Sequence, residues 1–120
     1  MTATQIDISA YDNESISRTF TLKSGTADSS TPYDLTDVEF EAEIRDQKSA
    51  LVLRLTSAGD DGGIVKDDAA NGVFSLHVAQ GAITYQANRS LRYDLLMLSG
   101  GETRRLWGGN VRILQGVTVP

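Results

Sequence analysis

The sequence contains no cysteine, so neither a disulfide bond nor a thiolate metal site can hold the fold together. Nowhere does it contain the run of about 18 apolar residues that a membrane-spanning helix requires. Residues 1–8 have neither the basic region nor the apolar stretch of a secretory signal. We therefore expect a soluble protein that is made in a cytoplasm, has no membrane partner and is stabilised by its apolar core alone.

Basic residues are also in deficit. Eleven Lys and Arg stand against sixteen Asp and Glu, a formal net charge of −5. Because nucleic-acid affinity comes largely from basic side chains that neutralise phosphates, we expect no nucleic-acid partner. The hydrophobic share of 40% is that of an ordinary globular protein, and 120 residues fit a single domain. We predict one domain over residues 1–120.

A two-residue alternation of apolar and polar side chains is the dominant pattern in the chain. In residues 38–46 every second side chain is apolar and those between are charged, which predicts a strand with one buried and one wet face. A polar turn at 46–49 leads into residues 51–56, where the same pattern predicts an antiparallel partner strand. The side chains expected to point inward are Val38, Phe40, Ala42, Ile44, Leu51, Leu53 and Leu55.

Shorter alternating segments predict further strands at 5–10, 15–23, 64–65, 73–79 and 91–98, followed by a last strand. In the second of these, Arg18 falls in phase with the apolar residues, which places this strand at a sheet margin. In 73–79 we expect Ser75 and His77 to point outward. Gly100-Gly101 is predicted to be a hairpin tip, and Gly108-Gly109 to be a bulge in the last strand.

Three segments lack the alternation. Residues 24–32 and 57–63 are predicted loops. Residues 79–90 are predicted to cross between two sheets with one helical turn, and Tyr85 is expected to act there as a corner residue.

Seven or eight short strands, separated by Gly, Asn and Asp, are typical of a β-sandwich of this length. We predict an all-β fold, an immunoglobulin-like antiparallel β-sandwich. A small closed barrel would show similar alternation, so the strand pattern leaves that architecture open.

No residue pattern favours catalysis, a cofactor or a metal. His77 is the one histidine, and its mid-strand position predicts a surface side chain rather than a catalytic base. The acidic residues between positions 60 and 68 lack the ligand order of a calcium loop, although hard oxygen clusters can bind Ca²⁺. These residues are Asp60, Asp61, Asp67 and Asp68. The glycine pairs lack the strand and helix that flank a phosphate loop. We expect a protein that is not an enzyme.

An interaction surface is predicted on the strand at 91–98 and the strand after it. Leu96 and Leu98 share a face with Arg92 and Asp94, which is expected if the two leucines meet a neighbouring subunit or a covering loop. Arg104, Arg105 and Trp107 follow, and Trp and Arg are enriched in protein interfaces. If Trp107 is not part of an interface, we expect it to pack in the core.

A carbohydrate- or cell-surface-binding module is the second functional hypothesis. Loops of β-sandwiches commonly carry such sites, and aromatic rings can stack on sugars. The aromatic candidates are Tyr11, Tyr33, Tyr85 and Trp107.

Scattered short matches over nearly the whole chain carry a family resemblance. They are Leu35-Thr36, Ile44-Arg45, Tyr93-Asp94-Leu95, Gly100-Gly101, Leu106, Gly109, Val111 and Val117-Thr118. With these residues the chain resembles an immunoglobulin-like domain of tailed-phage and prophage structural proteins, among them the N-terminal domain of phage baseplate upper proteins. The resemblance implies an anchor that docks on other virion proteins, and it implies no catalytic residues.

In that family the chain continues into helices and a region that attaches the receptor-binding protein, whereas this sequence ends at Pro120 directly after the last predicted strand. We therefore expect an adaptor or decoration subunit of the tail, neck or baseplate. Its location would be the virion, assembled in the bacterial host cytoplasm. Its partners would be other phage virion proteins and further copies of itself in a ring or other symmetric assembly.

Overall fold

The computed structural model describes residues 5–24, 31–58 and 62–118, and these residues form ten β-strands, a three-residue 3₁₀ turn at Ala69–Asn71 and no α-helix. Strands β3 and β4 have two residues each and the other eight have four or more. The strands are β1 (Ile8–Tyr11), β2 (Ile16–Thr21), β3 (Lys23–Ser24), β4 (Thr31–Pro32), β5 (Glu39–Asp46), β6 (Leu51–Thr56), β7 (Ile64–Asp68), β8 (Val73–Val78), β9 (Leu91–Ser99) and β10 (Glu102–Leu114).

Two main sheets are formed, consistent with the predicted sandwich. The larger has the order β1-β10-β9-β5-β6 and the smaller β2-β8-β7, while β3 pairs with β4. Strand β1 runs parallel to β10, with Ile8 opposite Val111, so the larger sheet is mixed rather than wholly antiparallel as predicted. After β1 the chain crosses to the smaller sheet, where it forms β2. The neighbour of β1 in the larger sheet is therefore the last strand, β10, and not β2. Strand β2 is an edge strand, as expected from Arg18.

Aromatic rings from both sheets meet in the core. Phe40 of β5 stacks on Phe74 of β8 with ring centroids 4.4 Å apart, and both side chains are 0% exposed. Phe20 and Trp107 extend this cluster. The apolar side chains predicted to point inward from β5, β8 and β9 are buried, and burial of apolar surface is the main stabilising term of such a fold.

Leu51 corrects the inward prediction for β6. Ile44 is opposite Leu53, whereas the next residue, Arg45, is opposite Leu51, so Val52 is an extra residue in the strand. A β-bulge of this kind shifts the register by one and turns the following side chain to the other face. Leu51 is therefore 50% exposed, while Leu55 is buried as predicted.

Two further expectations are corrected. Ser75 is 2% exposed rather than pointing freely into solvent, because it lies on the central strand of the smaller sheet and its hydroxyl is covered by the His77 ring, 2.8 Å away. Residues 79–90 form turns without a helical turn, and Tyr85 is 40% exposed. Of the predicted loops, residues 25–30 and 59–61 lie outside the described residues.

Candidate interaction surface

The face of the larger sheet that points away from the core carries most of the predicted interaction residues. We call it the outer face. The strand registers place its side chains in rows that run across β10, β9 and β5. Its members on these strands are Glu39, Glu41, Glu43, Arg45, Arg92, Asp94, Leu96, Leu98, Thr103, Arg105, Asn110 and Arg112.

Leu96 and Leu98 lie on β9, the central strand of the larger sheet, and both are half-buried. Leu96 is opposite Arg105 on one side and Glu41 on the other, and Leu98 is opposite Glu39. Two apolar side chains are thus set among charged ones at the middle of an open sheet. This is the arrangement of a small apolar centre with a polar rim, as found in protein interfaces.

Arg105 and Trp107 point to opposite faces, although they are two residues apart in the sequence. Arg105 is opposite Leu96 and Trp107 opposite Leu95, which makes Leu106 the extra residue of a bulge. The bulge predicted at Gly108-Gly109 therefore lies at Leu106, two residues earlier in the strand. Its effect is that Arg105 reaches solvent while Trp107 enters the core.

Trp107 is 8% exposed and packs with its ring centroid 5.1 Å from Phe20 and 6.0 Å from Phe74. Trp107 is therefore a core residue and not part of an exposed interface. Its indole nitrogen lies near the Tyr93 hydroxyl but has no hydrogen-bond partner among the described residues. Trp107 contributes stability rather than exposed surface.

Arg104 is separated from the other predicted residues. It is exposed and opposite Met97, whose side chain is buried, so the register assigns Arg104 to the core-side face at the end of the hairpin. There it lines a surface depression of about 410 Å³ together with Phe20 and Lys23. Of the five predicted interface residues, Leu96, Leu98 and Arg105 share the outer face.

Two charged pairs lie on the outer face, one within β5 and one between β10 and β9. Arg45 Nη2 lies 2.8 Å from Glu43 Oε1, and Arg105 Nε lies 3.6 Å from Asp94 Oδ2. These side chains, with Arg92, surround a shallow depression of about 340 Å³. Because the groups are exposed, each pair contributes little to stability and remains available to a partner.

The N-terminal segment is held against β10 at the margin of this face. The Tyr93 hydroxyl donates a 2.6 Å hydrogen bond to the carbonyl oxygen of Ile6, and burial raises the pKa of this hydroxyl above its usual value. The backbone N–H of Asn110 donates to Asp7 Oδ1 at 2.8 Å, and this bond lowers the pKa of Asp7. Sequence reasoning missed both contacts, since they join residues about a hundred positions apart.

His77 is exposed, as predicted, and contacts two serines. Its Nδ1 lies 3.2 Å from Ser17 Oγ and its Nε2 lies 2.8 Å from Ser75 Oγ. No described carboxylate contacts the ring, and the buried Ser75 hydroxyl is shielded from any substrate. The exposed Ser17 hydroxyl lies beside the ring, but among the described residues no carboxylate completes a catalytic triad with these two side chains.

The acidic residues considered for Ca²⁺ are only partly described. Asp60 and Asp61 lie outside the described residues, and Asp67 and Asp68 are exposed on β7. Asp68 Oδ2 accepts a 2.9 Å hydrogen bond from Asn71 Nδ2. In the described part of the chain, no cluster of three metal-ligating side chains occurs.

The aromatic candidates for sugar stacking are dispersed. Tyr11 is 50% and Tyr85 40% exposed, and the Tyr85 backbone N–H donates to Asp12 Oδ2 at 3.3 Å, so both lie at one end of the molecule. Tyr33 is half-buried, and its backbone N–H bonds to the Leu22 carbonyl.

No protein-family model matches the sequence, and no curated protein matches it. Within the described ranges, no helix has the length and apolar character needed to cross a membrane.

Proposed function

We propose that the protein is a structural subunit of a tailed-phage virion, an adaptor or decoration subunit in the tail, neck or baseplate, and that it acts through protein–protein contacts in a symmetric assembly. The observation that carries this proposal is the outer face, where Leu96 and Leu98 lie half-buried among charged side chains on a central strand. An apolar centre surrounded by charged side chains is the usual composition of a protein–protein contact surface.

The resemblance to immunoglobulin-like phage domains is the reason for proposing a phage virion as the location of the protein. We propose the immunoglobulin-like form of the sandwich, and support comes from where the resembling residues lie. Tyr93 and Leu95 point into the core from β9, and Gly100-Gly101 forms the β9–β10 turn with φ values of 58° and 84°. These positions define the hairpin that carries the outer face.

A symmetric assembly turns modest contacts into stable attachment. Each copy would use the same outer face, and several weak contacts then act together with a high effective concentration. A patch of two leucines with a charged rim is sufficient in that setting, although it would be small for an isolated complex.

The test is the incorporation of the protein into particles. Leu96→Ser combined with Leu98→Ser should lower the amount found in purified virions by about tenfold or more, because each removed leucine contact is worth about 1 kcal/mol or more. The matched control is Leu51→Ser, on the edge strand β6 of the same sheet and 50% exposed. Quantitative mass spectrometry of particles from cells that carry the gene measures both variants.

Circular dichroism and the melting temperature establish that both variants fold. Wild-type particles that contain none of the protein would refute the virion assignment. Unchanged incorporation of the Leu96/Leu98 variant would refute the role of the outer face.

A carbohydrate-binding function is the second candidate, and the exposure of Tyr11 and Tyr85 at one end of the molecule favours it. Trp107 cannot serve there because it is buried. Binding to a glycan array that is lost on Tyr11→Ala or Tyr85→Ala, and kept on Tyr33→Ala, would support this function. If the protein binds no glycan on the array, the carbohydrate-binding function is refuted.

A further inference from the structure

Like charges face each other across strands β5 and β9 in two successive rows of the outer face. Glu43 is directly opposite Asp94, and in the next row Arg45 is directly opposite Arg92. Side chains opposite one another on a sheet have Cβ atoms about 4.5–5.5 Å apart, and like charges in that position are destabilising. We call these pairs the acidic row and the basic row.

Ion pairs within the chain neutralise only some of the four charged side chains in these two rows. Glu43 is paired with Arg45, and Asp94 with Arg105 at the longer distance of 3.6 Å. The Arg92 side chain is exposed, and its guanidinium group makes no hydrogen bond or ion pair with any described residue. The basic row therefore presents an unpaired guanidinium group beside the depression that it lines with Asp94 and Arg105.

The two rows are related by a simple symmetry. A two-fold axis that lies in the plane of the face, between the rows and perpendicular to the strands, places the acidic row of one copy on the basic row of another. We propose that a second copy of this chain docks on the outer face about this axis, with Asp94 against the other copy's Arg92 and Glu43 against the other copy's Arg45. Such an interface is isologous, so each pairing occurs twice.

A second copy fits this face better than a partner of one charge sign. A polyanion would meet the acidic row and a polycation the basic row, and contacts between like charges oppose binding. The nine residues of β9 span about 30 Å, and five strands span about 20 Å. Because the axis crosses β9 near Tyr93, toward one end of that strand, two copies overlap over less than the roughly 600 Å² of the whole face, which is the size of a weak interface.

This inference rests on the proposed function in using the same face, and it specifies the partner. The test is a charge reversal of each row in the full chain. Glu43→Arg with Asp94→Arg makes both rows basic, and Arg45→Glu with Arg92→Glu makes both rows acidic. We expect the wild type to be a dimer and each reversed variant to dissociate at least about 100-fold more readily, because like charges then meet across the interface.

An equimolar mixture of the two reversed variants should form a heterodimer, since a basic face then meets an acidic one. Light scattering after size-exclusion chromatography and native mass spectrometry measure these masses. Arg92→Gln provides a variant that disturbs no contact within the chain, and it should weaken the wild-type dimer by about tenfold. The control is Arg104→Gln, an exposed arginine that the register assigns to the opposite face.

A wild-type protein that stays monomeric up to about 1 mM, where even weak association is visible, would overturn the inference. So would a mixture of folded reversed variants that remains monomeric. If the dimer is absent and incorporation into particles still depends on Leu96 and Leu98, the inference fails and the proposed function stands. If the dimer forms and particles lack the protein, the reverse holds.

Discussion

The guanidinium group of Arg105 lies in the space that a β-carbon on Gly108 would occupy. From there Arg105 reaches Asp94 on the neighbouring strand, with Nε 3.6 Å from Oδ2. The absence of a side chain at position 108 thus lets a long cation lie flat on the outer face. A glycine in β10 positions the side chain that carries charge at the proposed interface.

Gly108→Ala should therefore destabilise the protein and displace Arg105 from Asp94. The new β-carbon would also stand 2.6 Å from the carbonyl oxygen of Tyr93, which is backbone and cannot rotate away. Overpacking of this kind costs about 1–3 kcal/mol in the free energy of unfolding, which urea denaturation measures. Gly100→Asn is the control, since no atom lies within 4 Å of its position and Asn tolerates φ of 58°. Equal stability of Gly108→Ala and wild type would contradict the packing described.

Phe74→Ala should cost about 3–5 kcal/mol, as expected for the loss of a fully buried aromatic ring and the cavity that follows. Phe74 contacts the rings of Phe40, Phe20 and Trp107 from both sheets, so its removal loosens the whole core. Val65→Ala on the same small sheet is the comparison, because Val65 is 42% exposed and its truncation should cost less than about 1 kcal/mol. Similar losses for both variants would show that Phe74 is not the centre of the core.

Arg18→Met should loosen the edge where the two sheets meet. Arg18 Nη2 on β2 donates to the carbonyl oxygen of Ser9 on β1 at 2.9 Å, and these strands belong to different sheets. We expect a loss of about 1 kcal/mol and faster amide exchange at residues 8–11. Arg112→Met, an exposed arginine on β10, is the control. Unchanged exchange at this edge would mean that the bond does not hold the sheets together.

Asp46→Asn should lower stability at neutral pH and matter less in acid. Asp46 Oδ1 accepts hydrogen bonds from the backbone N–H groups of Ala50 and Lys48, at 3.0 and 2.8 Å, and these bonds lower its pKa below the usual 3.8. A depressed pKa in the folded state stabilises the protein above the unfolded pKa, and this contribution is lost as the pH falls through the folded pKa.

Melting temperatures of wild type and variant at pH 7 and at about pH 2.5 measure this effect. The difference should be present at pH 7 and smaller in acid. Asp37→Asn, whose carboxylate has no hydrogen-bond partner among the described residues, should melt close to the wild type at pH 7. A difference for Asp46→Asn that grows in acid would contradict the assignment.

Much of the strand pattern was predictable from local sequence. The alternation in residues 38–46 and 91–98 identified β5 and β9 and the side chains that face the core, because a strand alternates its faces whatever its neighbours are. The same alternation predicted that Leu96, Leu98 and Arg92 lie on one face of β9. It was wrong for Leu51 and it mislocated the bulge near Trp107, because a bulge depends on how two strands pair and no single segment records that.

The sequence by itself determined an all-β chain, the inward residues of its regular strands and the hairpin turn at Gly100-Gly101, since these follow from local periodicity and backbone preference. Only the tertiary structure decided that β1 pairs in parallel with β10, that Trp107 is core while Arg105 is surface, and that Glu43 meets Asp94 beside the pair of Arg45 and Arg92. Those relationships come from strand register between distant segments. Register is set by packing the whole core at once, and the order of residues along one strand does not contain it.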